Sequence, residues 1–390
     1  MQKKFEIYSI KKISFCQKRP CILRDFLPRD VFWQSRGGRV LKRRASAFLR
    51  TFDIPSPRGG TEEMTDPEPK TTKFPPSSAP PPAHAVAIVV VVAAACLLYL
   101  PPVDPDDDGA AAAAAVRSIS TPLFPRLIPT ARELGLIRLL LSAAIFATQA
   151  AQMRGGRGLV QITSYRPQSR LVARPMIMRG WRVLGYFTTW TWTLLGMSFA
   201  LNGSVALLVA AGREEFLIRN PLIARISLLS FEAAAPSSML VSSVIRYGIW
   251  PISMARGPKG SEMLRGGTVL LQHNGNTVMA LAEAGLLGGL PVRFSDFAVA
   301  PLFGVAYVLF AWSTSRRWSA DGTPQFLYWF LDTTLGSATS VAILVLLAVL
   351  TFFYGVFGVV RDMLEHLGVG VVGNVLVVLG LSSLVCRFRD

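Results

Sequence analysis

Apolar runs of about 20 residues recur through this chain, and they restrict its fold more than any other feature. A run of that length with few charges is what an α-helix needs to cross the hydrocarbon core of a bilayer. Lipid offers no partner for backbone N–H and C=O groups, so a chain with several such runs folds as a helical bundle. We therefore predict an all-α, polytopic membrane bundle of seven or eight transmembrane helices. The candidate runs are 83–100, 134–153, 183–211, 226–252, 267–290, 296–313, 337–360 and 367–385.

The distribution of charge predicts how the runs are oriented. The chain has 41 Lys and Arg against 24 Asp and Glu, a net charge of +17. A single basic face would indicate nucleic-acid binding, but here the cations lie in the N-terminal tail and in alternate connections, and we predict no nucleic-acid partner. With eight spans, 31 cations fall on one side and 8 on the other. The positive-inside rule then places both termini in the cytosol, in the endomembrane system or the plasma membrane.

Run 83–100 is short but long enough for one span, and charge favours it as a span. If it did not cross the membrane, the connection Arg154–Arg182, which contains seven arginines, would lie on the side opposite the cytosol. That arrangement would violate the positive-inside rule.

The remaining sequence divides by composition. Residues 1–82 are basic and then rich in proline, which predicts a disordered cytosolic tail and linker. Residues 83–100 are the possible extra transmembrane helix, and 101–130 hold an acidic cluster and an alanine run, typical of a low-complexity connector. Residues 131–386 form the multi-span domain. We predict no cofactor, no metal site and no disulfide framework, since the four cysteines lack metal-ligand spacing; they are Cys16, Cys21, Cys96 and Cys386.

The run 267–290 stands out because it carries polar groups. Ionisable and amide side chains are costly in hydrocarbon, so their presence predicts a functional site. Helical spacing places them on one face, which is small and polar and is expected to look into the protein interior. That face consists of His273, Asn276, Thr277, Ala280, Glu283 and Ala284.

Two arginines fall inside predicted spans. Arg138 lies about one turn inside its run, so we expect its long side chain to reach the interface. Arg246 lies deeper and needs an acidic partner, for which Glu232 and Glu283 are the candidates. We therefore assign Arg246, Glu283 and Thr277 to a polar core.

A threonine-rich segment, YFTTWTWT at 186–193, opens the third run. Threonines within a transmembrane helix more often pack against other helices or bond to their own backbone than act in catalysis. A histidine close to a hydroxyl can nevertheless act as its general base. Thr188 and His273 each follow a cytosolic connection by a few residues, so both lie on the order of 10 Å into the membrane. Depth alone does not make them neighbours.

Five segments, in this order and spacing, resemble the rolling stone protein family and, more distantly, the androgen-induced and androgen-dependent transmembrane proteins. The resemblance covers about residues 130 to 365. It is carried by YFTTWT at 186–191, HNGNT at 273–277, PVRF at 291–294, PLFGVAYVLF at 301–310 and YWFLD at 328–332.

The distant relatives imply a chemistry, the hydrolysis of fatty-acid esters of hydroxy fatty acids by an intramembrane threonine and a histidine. The resemblance assigns the threonine position to Thr188. The catalytic histidine is the second of a His-x-x-His-Thr pattern, and this chain has Asn276 there, while His273 matches the first histidine. An asparagine amide does not accept a proton near neutral pH, so this mechanism does not carry over intact. The rolling stone branch implies no particular activity.

Three hypotheses follow. The first is a multi-pass protein of rolling stone type, without classical hydrolase activity, that holds a membrane lipid or a partner helix in its polar core. The second is a lipid esterase acting on a fatty-acid ester, with Thr188 as nucleophile, His273 as base and Asn276 as an oxyanion donor. The third is a transporter or channel that uses Arg246, Glu283 and His273 along its pathway, although the sequence lacks the inverted repeat typical of transporters.

Overall fold

The apolar runs form helices, most of which continue for several turns. The computed structural model describes residues 79–101, 109–155, 159–255, 262–319, 322–366 and 370–389. Its α-helices are α1 (Ala83–Tyr99), α2 (Gly109–Ser120), α3 (Ala131–Arg154), α4 (Phe187–Ala210), α5 (Glu214–Arg219), α6 (Pro221–Ser243), α7 (Trp250–Ala255), α8 (Gly267–Leu270), α9 (Asn276–Gly285), α10 (Val299–Thr314), α11 (Ser337–His366) and α12 (Gly370–Val385).

Shorter elements complete the described chain. One antiparallel ribbon pairs β1 (Leu159–Gln161) with β2 (Met176–Met178). Two π-helical segments, Val244–Ile249 and Leu271–Gly275, join α6 to α7 and α8 to α9. Short 3₁₀ turns are Gly180–Gly185, Glu262–Arg265, Phe294–Asp296, Ser315–Arg317, Trp329–Leu331 and Thr333–Leu335. The predicted tail lies almost wholly outside the described residues.

Within the described chain, five helices are long and apolar enough to cross a membrane. This confirms an α-helical, multi-pass membrane protein. Two further apolar helices, α1 and α12, are shorter, and the eight-span count stays a prediction. The five are Ala131–Arg154, Phe187–Ala210, Pro221–Ala255, Phe294–Arg317 and Ser337–His366.

Large apolar side chains on the outer helices face away from the protein, as a lipid-facing surface requires. Leu140 on α3 is 69% exposed, Phe352 on α11 is 64% exposed, and Val372 on α12 is 73% exposed. In water, so many exposed apolar groups would promote aggregation. In a bilayer they contact acyl chains.

The helix α6 is the centre of the bundle. In the continuous helical segment Pro221–Ala255, which begins with α6, 83% of the most apolar stretch is buried inside the protein, against 33% to 50% in the other four long helices. This segment is nevertheless the least hydrophobic of the five. The segment 231–242 reads FEAAAPSSMLVS, and small residues on every side let neighbouring helices approach closely. A helix surrounded by protein does not need a lipophilic surface, which explains its lower hydropathy.

Glycines bring α3 and α4 into close contact. A Cβ added to Gly135 would lie 2.9 Å from the carbonyl oxygen of Gly203, and one added to Gly203 would lie 3.0 Å from that of Gly135. A Cβ on Gly196 would meet Ile145 Cγ2 at 2.6 Å. The two helices therefore pack backbone to backbone, as small-residue pairs in membranes do.

The helix ends that charge predicts on one side lie together. On the predicted cytosolic side, Gln272 Nε2 donates to Gln152 Oε1 at a distance of 2.8 Å. This bond joins α3 to the π-helical segment before α9. On that side the Thr333 hydroxyl also donates to the Ala79 carbonyl. On the other side the rings of Tyr99 and Phe297 are 4.6 Å apart. The helices thus alternate in direction as the positive-inside pattern predicts.

The structure adds a helix where the sequence predicts only a connector. Within 101–130, α2 is 12 residues long, and Val116 and Ile119 on one face are fully buried in the main core cluster. Alanine is the strongest helix former, which explains why a low-complexity run becomes helical. Helix α2 packs against α4, α5 and α6, so this part of the connector belongs to the bundle.

We expect that Glu283→Ala will destabilise the bundle strongly. Glu283 and Arg138 form an ion pair with both side chains fully buried, so the substitution leaves an arginine charge without its counter-ion. The cost of breaking such a pair is about 3–5 kcal/mol. Thermal unfolding in a mild detergent, with circular dichroism as readout, measures it.

The matched control is Glu215→Ala. Glu215 pairs with Arg219 at the surface, and both side chains are about three-quarters exposed (77% and 74%). Its loss is expected to cost less than about 1 kcal/mol. Equal effects of the two substitutions would contradict a structural role for the buried pair.

Candidate functional site

The polar residues predicted as one core lie in two places in the bundle. Glu283 lies near the end of α9 that is predicted to face away from the cytosol, and it belongs to a set of buried ion pairs. His273, Asn276 and Thr277 lie near the cytosolic end, against the last turn of α6. The structure therefore separates Glu283 from His273, Asn276 and Thr277.

Ser238, Ser242, Asn276 and Thr277 form a cluster, called here the amide–hydroxyl cluster. The Ser242 and Thr277 hydroxyl oxygens are 2.6 Å apart. Thr277 also donates to the Ser238 carbonyl at 2.8 Å, and Ser242 donates to the His273 carbonyl at 2.5 Å. The Asn276 side-chain oxygen accepts from the Thr277 backbone N–H at 2.7 Å. These bonds hold α6 and α9 together at one depth.

The amide nitrogen of Asn276 is the exception in this cluster. The residue is fully buried, yet its Nδ2 donates to no residue of the described chain. A buried donor without a partner costs about 1–3 kcal/mol, so most native structures avoid one. The amide can donate two hydrogen bonds to a carbonyl or carboxylate oxygen that enters the cluster.

Both helices that build the cluster contain a π-helical segment beside it. Leu271–Gly275 directly precedes Asn276, and Val244–Ile249 directly follows Ser243 on α6. Gly275 permits the wide turn, because a Cβ there would meet Leu271 Cδ1 at 2.7 Å. Single π-helical turns are frequent at functional sites. The sequence HNGNT is therefore a local distortion as well as a polar motif.

The proposed catalytic partners Thr188 and His273 are not hydrogen-bonded to each other in the described structure. Thr188 lies in the first turn of α4 and His273 in the π-helical segment, and both side chains are half-buried. Neighbouring threonines bond to their own helix: Thr191 donates to the Phe187 carbonyl and Thr193 to that of Thr189. The threonine segment thus shows the back-bonding that is common in membrane helices.

The expectation that Arg138 reaches the interface is wrong. Its side chain is fully buried: Nε donates to Glu283 Oε2 at 3.0 Å, and Nη2 lies 2.5 Å from Glu283 Oε1. Nη1 donates to the carbonyls of Ile119 and Asn202. Arg138 points towards α2, α4 and α9 rather than along the lipid surface, so protein groups take the place of water.

The pairing of Arg246 with Glu283 or Glu232 is also wrong. Arg246 donates to the carbonyls of Ser383 and Cys386 at the C-terminus of α12. The last carbonyls of a helix lack helical donors and attract a cation. Arg246 lies just after α6, and Glu283 lies near the C-terminal end of α9. Because α6 and α9 run in opposite directions, the two residues lie at opposite ends of the bundle.

A second buried ion-pair set was not predicted from the sequence. Glu232 accepts from Arg293 Nε at 2.9 Å, and Arg293 Nη2 lies 2.7 Å from Asp296 Oδ2. Arg225 donates twice to Asp296, at 2.6 and 2.7 Å. The Tyr354 hydroxyl donates to the Arg293 carbonyl, which ties α11 to the set. In the sequence, the one indication of this set was the break in the apolar run at Gly288, Gly289 and Pro291, just before Arg293.

The C-terminal segment closes the cytosolic end of the amide–hydroxyl cluster. Asn274 Nδ2 donates to the Arg387 carbonyl at 2.7 Å, and the Arg387 guanidinium lies 5.3 Å from the centre of the Trp250 ring. Burial raises the pKa of the Cys386 thiol to about 11. Cys386 is therefore a neutral thiol at physiological pH and a poor nucleophile.

Comparison with known proteins adds no assignment: no family model, curated protein or solved structure matches this chain. The resemblance to the rolling stone family stays a prediction.

We expect that Thr277→Val will destabilise the protein by about 1 kcal/mol, since intramembrane side-chain hydrogen bonds contribute about that much. The substitution keeps the shape but removes the hydroxyl that donates to the Ser238 carbonyl and contacts the Ser242 hydroxyl. Thr351→Val is the control, because Thr351 bonds only to the Leu347 carbonyl of its own helix. Thermal unfolding in detergent compares the two, and a larger loss in the Thr351 variant would contradict the bridging role.

Proposed function

We propose that this chain is an integral multi-pass membrane protein of rolling stone type that binds a lipid in its polar core. The Asn276 side-chain amide donates to a carbonyl oxygen of that lipid. One observation carries the proposal: Asn276 Nδ2 is a buried donor with no partner in the described chain. A lipid carbonyl supplies the missing acceptor.

The position of the cluster suits a lipid ester. His273 follows Arg265 by eight residues, which corresponds to a depth on the order of 10 Å along a helix. The ester carbonyls of membrane lipids lie near that boundary between headgroups and acyl chains. The ester group of a lipid brings only acceptor oxygens to the site. It therefore accepts from the Asn276 amide and adds no donor that would itself need a partner.

The geometry favours binding over hydrolysis. A hydrolase requires a base in hydrogen-bond contact with its nucleophile, and no such bond joins His273 to Thr188. The Ser242 and Thr277 hydroxyls already bond within the cluster. Of the charged residues that a transport pathway would use, Glu283 is paired with Arg138, and Arg246 donates to the carbonyls of Ser383 and Cys386. Lipid binding leaves these bonds intact.

The sidedness of the chain is part of the proposal. Both termini lie in the cytosol, and the chain resides in the endomembrane system or the plasma membrane with lipids as its partners. A reporter fused after Asp390 is expected to be accessible from the cytosol in permeabilised cells. A reporter exposed only in the lumen or outside the cell would overturn this topology, because the alternating ends of the helices would then have the opposite orientation.

Lipid binding is tested with the full chain in nanodiscs and a branched fatty-acid ester of a hydroxy fatty acid as probe. Asn276→Leu keeps the volume but removes the donor, so the probe is expected to bind about three- to tenfold more weakly. The control is Asn374→Leu, which removes a buried amide that donates to the Gly285 carbonyl elsewhere in the bundle. Native mass spectrometry of protein–probe complexes gives both affinities.

Two results would contradict the proposal. Equal probe binding by wild type and Asn276→Leu, with both folded, would remove Asn276 as the donor. Turnover of the same probe, lost in both Thr188→Ala and His273→Ala, would establish instead the esterase in which His273 acts as base. A fluorophosphonate label provides a parallel probe for that activity.

A further inference from the structure

Two connections on the predicted cytosolic side interlock to form one structured unit. We call the described residues 159–186, 315–319 and 322–335 the arginine cap. The Thr163 hydroxyl donates to the Phe326 carbonyl at 2.6 Å, and the Phe326 N–H donates to the Tyr165 hydroxyl at 2.7 Å. The Ser169 hydroxyl donates to Asp332 at 2.5 Å. The cap therefore has a defined surface.

That surface is strongly basic. The connection Arg154–Arg182 has seven arginines and no acid. In the described part of the cap the acidic side chain is Asp332, which is fully buried and bonded to Ser169 and to the Thr334 backbone. The charged side chains that are exposed in the described part of the cap are cationic; they include Arg170, Arg174, Arg179, Arg316 and Arg317.

Exposed apolar groups lie among these arginines. In β2, Met176 and Met178 are buried against Trp318 and Leu327, while Ile177 between them points outwards and is 54% exposed. Trp181 follows it and is 44% exposed, with its ring centre 5.6 Å from that of Trp318. Tryptophan and aliphatic groups beside arginines are typical of elements that lie in the headgroup region of a membrane.

We propose that the arginine cap lies on the cytosolic membrane surface and binds anionic phospholipid headgroups. The arginines bind the headgroup charges, and Ile177 and Trp181 enter the interface. Charge complementarity selects this occupant: the cytosolic leaflet carries a negative surface potential that attracts juxtamembrane arginines. Residues 1–82 of the chain itself carry 17 Lys and Arg against 8 acids, the same sign as the cap, so their charge does not complement it. The site is distinct from the amide–hydroxyl cluster.

Lipid selectivity in reconstituted bilayers tests the charge. Electron paramagnetic resonance compares the association of spin-labelled phosphatidylserine and phosphatidylcholine with the full chain. Wild type is expected to prefer phosphatidylserine at least about threefold, and this preference is expected to fall when added salt shortens the Debye length from about 10 Å to about 3 Å.

The test variant is Arg179→Gln with Arg317→Gln, which removes two exposed cap charges. The matched control is Arg126→Gln with Arg132→Gln, two exposed arginines at the end predicted on the other side, one in the connector and one in the first turn of α3. The preference is expected to approach unity in the cap variant and to persist in the control. The proposal is overturned if wild type shows no preference, or if both variants lose it equally, which would leave an acidic protein as the partner of the cap.

The depth of Ile177 tests the placement. A nitroxide is attached to Ile177→Cys in a chain whose four native cysteines are replaced by alanine. We expect it to be accessible to oxygen and shielded from a water-soluble nickel chelate. Free access of the chelate would show that the ribbon faces water and would exclude the membrane-surface position.

Discussion

The burial of the Arg138 side chain is the constraint on which the rest of the bundle depends. An isolated charge in hydrocarbon is costly, so the protein has to supply a counter-ion and an acceptor for each guanidinium nitrogen. It does so from three directions: Glu283 from α9, the Ile119 carbonyl from α2 and the Asn202 carbonyl from α4. Gly288 completes this arrangement, because a Cβ there would overlap the guanidinium. One side chain thus fixes the relative positions of four helices.

The two ends of the bundle use polar groups differently. At the end predicted away from the cytosol, Arg138, Glu232 and Asp296 and their partners are paired charges, and such pairs are rigid because every loss is costly. At the other end the amide–hydroxyl cluster is neutral, and two π-helical segments widen the helices around it. A neutral cluster exchanges hydrogen-bond partners at lower cost than an ion pair. This division suits a structure with one fixed end and one end that receives a ligand.

The parts of the fold that sequence reasoning predicted are those that depend on one segment at a time. Hydropathy finds the long apolar helices, and loop charge predicts which helix ends lie together. Which way a side chain points around its helix axis depends instead on the neighbouring helices, which a single sequence does not identify. For this reason Arg138 was wrongly predicted to reach the interface, and Arg246 was assigned the wrong partner. Thr188 and His273 were predicted to lie at a similar depth, but lateral distance has no signal in a single sequence. The contacts between the two connections of the arginine cap were not predictable from the sequence either, because Thr163 and Phe326 are 163 residues apart.

The burial of Arg138 also has a consequence for how the chain is made. Its counter-ion Glu283 lies 145 residues downstream, so α3 leaves the ribosome well before Glu283 has been synthesised. Until then Arg138 has no counter-ion, and an unpaired arginine within a membrane helix is costly. The side chain therefore cannot adopt its final buried contacts until α9 has been inserted. Its final position is reached late, when α9 arrives and the pair closes.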